Sequence, residues 1–364
     1  MASRPDGRGR PSQRASTMQI QQQVPLAPLT TFRVGGPARY FVEARSEEDV
    51  GAAVTEARSH GWPLFVLGGG SNLVVADAGW PGLALKIALT GISEQRDGRR
   101  MRFDVAAGED WDRFVARAVA QNCAGIECLS GIPGTVGGTP VQNVGAYGQE
   151  VSDTIVSVRV LDTASGRICE LRNADSGFAY RTSIFNARER GRYIVLRVTL
   201  ALVAGGAAQI EYADLKRHFA GRNPPTLAET RDAVRAIRLS KAMLIVPGDD
   251  DCRSAGSFFK NPVLTRETFE QLQARTGPIP NFPARDSMVK IAAAWLVERA
   301  GFPKGLARGA VGISSKHALA IVNRGGATAA DIIALKNEIQ QCVLDRFGIE
   351  LQPEPVFVGF NQPP

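Results

Sequence analysis

Residues 131–150 read GIPGTVGGTPVQNVGAYGQE. Gly131, Gly134, Gly137, Gly138, Gly145 and Gly148 alternate with Pro133, Pro140 and Asn143, and no apolar residue recurs at helical or strand period. A loop of this length inside a globular chain is uncommon and usually functional. Upstream, residues 66–75 read VLGGGSNLVV. Three successive glycines after a β-rich run let backbone N–H groups turn toward one point and let an anion approach closely. This is not GxGxxG, because position 73 is Leu, and not a Walker A loop, because no Gly-Lys-Ser/Thr follows. Alone it fits a tight turn as well as a ligand loop. Two such loops in one chain favour a large phosphate-bearing cofactor.

Around these loops, strands and helices mix without strict βα alternation, which predicts an α+β fold. Ser46 and Asp49 form a capping-box pattern, Val50, Val54 and Ala57 follow at helical spacing, and Gly61 ends the helix. PLFVL (63–67) reads as a short strand. A second helix over 110–122 is capped by Asp110 and presents Trp111, Phe114, Val115, Ala118 and Val119 on one face. Residues 154–172 read as two strands around a Ser-Gly turn, and 192–203 as another strand. VKIAAAWLVERAG (289–301) predicts a helix. ADIIALKNEIQQCVLDRFG (330–348) predicts an amphipathic helix with the stripe Ile333, Leu335, Ile339, Val343, Leu344 and Phe347, ended by Gly348. VAGGAAQ, near 204–210, reads as a boundary loop.

At 364 residues, the chain has length for roughly two or three domains of ~150 residues. No run of ~20 apolar residues suggests a membrane span, and no n-region precedes an apolar h-region. The net charge of +7 is partly a tail effect. Arg4, Arg8, Arg10 and Arg14 face Asp6 alone within residues 1–17, and no aromatic-interleaved basic stripe follows, so nucleic-acid binding is not expected. That tail is too poor in apolar groups to repay its ordering and is read as disordered; Met18 as the start, or a transit peptide, are the other readings. Five cysteines form no CxxC pair and three histidines no HExxH pattern, which argues for reduced thiols and no metal site. No GxSxG elbow is present.

Three single residues stand out. Arg181, in FAYRTSIF (178–185), fits either a snorkelling surface arginine or a guanidinium aimed at a carboxylate or enolate. Ser257, in SAGSFFKNP (254–262), fits a capping serine when read alone. Glu354, in LQPEPVFVG (351–359), fits a solvated carboxylate when read alone.

Taken in order, TTFRVGGPA (30–38), LGGGSN, IPGTVGGTPVQNVGAYG, YRTSIF, GSFFKNP and PEPVFVG resemble the UDP-N-acetylenolpyruvoylglucosamine reductase (MurB) family, from residue 30 to 359. The resemblance implies a disordered basic tail (1–22), an FAD-binding domain of the vanillyl-alcohol-oxidase (PCMH) type made of two α+β subdomains (23–204), and an α+β substrate-binding domain (205–364). It implies non-covalent FAD, NADPH as hydride donor, and reduction of UDP-N-acetylglucosamine enolpyruvate to UDP-N-acetylmuramate in peptidoglycan precursor synthesis. Flavin N5 then delivers hydride to C3, Ser257 protonates C2, and Arg181 and Glu354 stabilise the enolate. Tyr212 (the mark of type I members), Arg238, Lys241 and Asn261 match substrate contacts. Gly68, Gly69, Gly70, Ser71, Asn72, Ile132, Pro133, Gly134, Gly137, Gly138, Asn143, Gly145, Ala146 and Tyr147 match FAD contacts. His317, in SSKHAL, lies near substrate contacts without an assigned role. A cytoplasmic monomer without metal, nucleic acid or membrane insertion is expected.

The sequence also departs from the family pattern. RLSKAMLIVPGDDDCRSAGS (238–257) is longer than the family's RxxKLPDP…GNAGS and carries three consecutive acids, and LQPEPVF lacks the usual Arg after the glutamate. An oxidase of the same FAD fold, or a non-catalytic flavin module, is the rival reading. The joint presence of Arg181, Ser257, Glu354 and GSFFKNP argues against both.

Overall fold

The computed structural model describes residues 18–284 and 287–360; the segment 1–17 lies outside them. A first sheet orders Gln21–Pro25, Pro37–Ala44, Trp80–Ile87 and Leu64–Leu67. Its last three strands are parallel, so the chain needs a crossover, and helix α1 (Glu47–Ser59) supplies one. The Ser46/Asp49 capping box is formed in both directions. Gln21 and Gln22, expected in the tail, instead pair with Phe41 and Tyr40 as an edge strand.

The second sheet is antiparallel and orders Arg167–Arg172, Ile155–Asp162, Tyr193–Ala204, Arg100–Ala106 and Ile92–Asp97. Helix α2 (Trp111–Ala120) starts on Asp110, whose carboxylate accepts the Arg113 N–H at 2.8 Å. Trp111, Phe114, Val115, Ala118 and Val119 are its buried residues, as read, and join one core with residues of both sheets. Each large apolar side chain buried this way stabilises by roughly 1.5–3 kcal/mol.

The loop at 204–210 does not separate two cores. After it, α3 (Ala213–His218) and α4 (Leu227–Ser240) turn back onto the first half. Leu215, Ala233 and Val234 pack on Cys128, and Leu227 joins the first core. We therefore propose that the division of the chain falls after α4 rather than at 204.

The remaining residues build a second core around α5 (Arg266–Thr276), α6 (Ala293–Arg299) and α7 (Ala329–Phe347), flanked by two small three-stranded sheets. The expected helix at 289–301 begins later. Val289–Ile291 is a strand between Val263–Leu264 and Asn281–Pro283, with Val289 and Ile291 buried on alternate positions. The buried stripe of α7 is Ile332, Leu335, Ile339, Val343 and Phe347, while Leu344 is 42 % exposed. Gly348, at φ 71, ends it as read.

The two halves interlock. Val356–Val358 pairs in parallel with Leu73–Val75, directly after the triple glycine. Phe32, Val34 and Val74 sit in the carboxy-terminal core. Among the described residues no helix is long and apolar enough to cross a membrane, and no cluster of three His, Cys, Asp or Glu is placed to hold a metal ion.

Candidate active site

Residues of both halves line a cleft of about 1660 Å³. That exceeds the roughly 300–1,000 Å³ of an ordinary small-ligand pocket, so more than one such molecule fits. One wall is the pair of glycine loops. They touch so closely that a Cβ on Gly69 would stand 2.5 Å from Gly134 Cα. Gly70 is left-handed at φ +65, and a methyl group there would overlap the Leu29 carbonyl oxygen. Ser71 Oγ donates to Pro133 O at 3.0 Å and ties the loops together. A side-chain-free wall of this kind admits a diphosphate to the backbone, so these residues fit FAD.

Every residue expected to contact the cofactor lines the cleft except Asn143. Asn143 is 1 % exposed. Its Nδ2 donates to Glu150 Oε2 at 2.8 Å and Ala179 O at 3.1 Å, and its Oδ1 accepts the Ser152 N–H at 3.1 Å. Its side chain is engaged in shaping the loop rather than lining the cleft.

The same cleft brings Arg181, Ser257 and Glu354 together beside the glycine loops. Phe259 and Pro353 form an antiparallel bridge; Lys260 N donates to Gln352 O at 2.9 Å and Glu354 N to Phe258 O at 2.8 Å. This pairing sets Ser257 beside Glu354 although nearly a hundred positions separate them in sequence. The terminal segment is held from the other side by Asn72, whose Nδ2 donates to Glu354 O at 3.2 Å and whose carbonyl accepts the Val356 N–H at 2.9 Å.

Arg181 has a left-handed backbone, φ 53, a strain of about 1–2 kcal/mol for a residue with a Cβ. Its Nη2 donates to Gly145 O at 2.7 Å. Its Nε is buried without a hydrogen-bond acceptor and faces Glu354 Oε1 at 3.3 Å. Burial pushes the Glu354 carboxyl above the usual carboxylate range; Arg181 and Lys260 oppose the shift without cancelling it.

A third group of residues is cationic. Arg238, near the end of α4, is buried; its Nη2 donates to Met243 O at 2.5 Å and its Nε has no acceptor. Lys241 pairs with Asp214 at 2.6 Å. Tyr212, 37 % exposed, stacks edge-on against Tyr147 with ring centroids 5.3 Å apart. Asn261 lines the cleft while its Oδ1 accepts the Ala293 N–H at 2.9 Å, at the start of α6.

Tyr180, Lys260 and Lys290 also line the cleft and were not expected there. Lys290 Nζ lies 4.7 Å from the centre of the Tyr180 ring, and burial and the Arg181 charge hold its ammonium below the usual lysine range. Tyr180 and Lys260 adjoin residues the motifs mark. Lys290 has no local signal, since only strand pairing brings it to the site.

Known proteins match this chain along nearly all its length. Residues 38–172 match the FAD binding domain family, and residues 247–358 match the UDP-N-acetylenolpyruvoylglucosamine reductase, C-terminal domain. The UDP-N-acetylenolpyruvoylglucosamine reductase of Thermobifida fusca is 47% identical over 355 residues, covering 94% of this chain and 99% of that one. That of Streptomyces coelicolor is 47% identical over 369 residues, covering 98% and 95%. The crystal structure of UDP-N-acetylenolpyruvylglucosamine reductase (MurB) from Thermus caldophilus superposes with a TM-score of 0.64 at 27% identity, covering 94% of this chain and 99% of that one. With motifs, cleft and relatives in agreement, the chain belongs to the UDP-N-acetylenolpyruvoylglucosamine reductase family.

Proposed function

We propose that this chain reduces UDP-N-acetylglucosamine enolpyruvate to UDP-N-acetylmuramate, a step in building the peptidoglycan precursor, with NADPH as the electron source. FAD, when bound along the glycine loops, supplies hydride transfer from NADPH to C3 of the enolpyruvyl group. What the chain must then manage is the electron pair left at C2, which spreads onto the neighbouring carboxylate. Arg181 sets its buried guanidinium in the cleft with Nε 3.3 Å from Glu354 Oε1, preorganised positive charge for the substrate carboxylate. Glu354, with its carboxyl pushed up by burial, acts in its protonated form as a donor; ionised, it would repel the enolate. Ser257, on the paired segment beside it, delivers the proton to C2. Arg238 and Lys241 face the diphosphate, and Tyr212 covers it at the mouth of the cleft.

The observation that carries this reading is the convergence of Arg181, Ser257 and Glu354 in the cleft that the glycine loops line. It is tested by anaerobic absorbance of the FAD-loaded protein. Flavin bands should bleach with NADPH and return on adding the enolpyruvyl sugar nucleotide. Bands that bleach and do not return refute the substrate. Absence of flavin bands after supplying FAD refutes the cofactor assignment.

A further inference from the structure

The inserted acidic run lies outside the reaction just derived, yet it grips a turn that reaches the cleft. Asp251 accepts the Ser315 N–H at 3.1 Å and the Ser315 hydroxyl at 2.5 Å, both on Oδ2. Asp249 pairs with Lys316 Nζ at 3.0 Å. Inside the turn, Ser314 Oγ accepts the N–H groups of Lys316 and His317 at 3.1 and 3.3 Å. At its far end, Leu319 O accepts the Phe258 N–H at 2.8 Å, next to Ser257. The turn is thus held between the insertion and the wall that carries Ser257 and Glu354.

His317 is the polar residue of this turn that lines the cleft, with Leu319 beside it. The Leu319 N–H donates to its Nδ1 at 3.0 Å, so Nδ1 is an acceptor and the ring proton of the neutral form sits on Nε2. Burial, with the charges of Lys241, Lys304 and Arg238, holds the imidazole down at about 4. Near neutral pH the ring is therefore an uncharged donor with one N–H left to give.

We infer that Asp249 and Asp251 form an intramolecular clamp that positions the 314–319 turn, so that His317 donates from Nε2 to an acceptor oxygen of the nucleoside-diphosphate sugar. Asp251 is a positioning residue, acting through His317. The inference rests on the sugar-nucleotide reading above and deepens it. A neutral donor suits this place. It recognises a phosphate or sugar oxygen without adding another buried charge to the group already formed by Arg238 and Lys241.

The test is a double-mutant cycle on the FAD-loaded enzyme, with binding of the enolpyruvyl sugar nucleotide read by calorimetry and KM by steady-state assay. Asp251→Ala should raise Kd and KM for the enolpyruvyl sugar nucleotide about tenfold, the scale of losing a hydrogen bond to a charged group. His317→Ala should raise Kd similarly. In the His317→Ala background, Asp251→Ala should cost nothing further, which a general structural role would not produce. Asp251→Glu should restore part of the affinity. If Asp251→Ala fails to fold, Lys316→Met cuts only the outer half of the clamp, and a few-fold rise in KM that vanishes in the His317→Ala background gives the same reading. Unchanged affinity in Asp251→Ala, or losses that multiply in the double variant, overturn the clamp while leaving the reaction intact. A wild-type enzyme that binds NADPH but no enolpyruvyl sugar nucleotide overturns the reaction assignment and the clamp with it.

Discussion

Glu354 and Ser257 are adjacent in space but make different demands on their surroundings. Ser257 needs only to reach C2 with its hydroxyl. Its replacement by Ala should leave flavin reduction by NADPH nearly intact and slow reoxidation by the sugar nucleotide about 10²–10³-fold, the usual cost of one transition-state donor. Stopped-flow absorbance separates the two half-reactions, and a parallel loss in both would remove Ser257 from its role. Glu354 must keep a proton. Because burial raises its pKa, the active protonated form persists above the ordinary carboxylate range and is lost as pH rises through that raised value. Glu354→Gln retains a donor of the same shape. Reoxidation in it should fall by about tenfold at most, against about 10²–10³ for Glu354→Ala, and the alkaline limb of its pH profile should flatten. A Gln variant as poor as the Ala variant would mean that the ionised form is the working one. Arg181 and Glu354 were legible only as parts of motifs, since a lone Arg between aromatics or a lone Glu between prolines is more often solvated.

At the scale of elements, local chemistry was legible and register was less so. The caps at Ser46, Asp110 and Gly348 follow from side chains within three or four positions of the helix ends, and all three are formed. The start of 289–301 was misread because AAAWLVER continues the apolar run. Only pairing with two partner strands shows that Val289–Ile291 is extended. In α7 the expected stripe was drawn too wide: Val343 is buried but Leu344 is exposed, and Ile332 rather than Ile333 is buried. Leu344→Ser should therefore shift stability by no more than about 0.5 kcal/mol, whereas Ile339→Ala should cost about 2–5 kcal/mol, as read by urea denaturation. Equal costs would place the helix in another register. The glycine loops make a sharper case. Gly70→Ala puts a methyl group into the Leu29 carbonyl in a left-handed conformation. It should weaken FAD retention by at least tenfold while the carboxy-terminal core stays folded, checked by flavin absorbance after gel filtration.

At the scale of the whole molecule, the site exists because distant segments close on one another, and those closures are not local signals. Thr31 Oγ1 donates to Ser254 O at 2.6 Å, and Asn72 reaches Glu354. Asp112 is the busiest such junction. It accepts the Gly131 N–H at 2.6 Å, opening the long glycine loop. It also pairs with Arg231 at 2.6 and 3.0 Å, and with Arg235, on the helix that carries Arg238. One carboxylate therefore links the cofactor cradle to the cationic part of the site. Burial tends to raise its pKa, but the hydrogen bonds from Arg231 and Gly131 and the charges of Arg231 and Arg235 outweigh it and hold the group below the usual carboxylate range. A depressed pKa means that the folded state binds this proton less tightly than the unfolded chain. Its stabilisation is complete above the unfolded carboxylate value of about 4 and is lost as pH falls toward the folded one. Asp112→Asn keeps the shape and removes the charge. It should cost about 1–3 kcal/mol at neutral pH, and its stability should fall less steeply than wild type as pH drops below about 4. Because the loop and α4 lose the same anchor, FAD retention and sugar-nucleotide affinity should weaken together. Denaturation across that pH range, with both affinities measured on the same preparation, checks this; a variant that loses one affinity and keeps the other would show that Asp112 braces a single wall of the cleft.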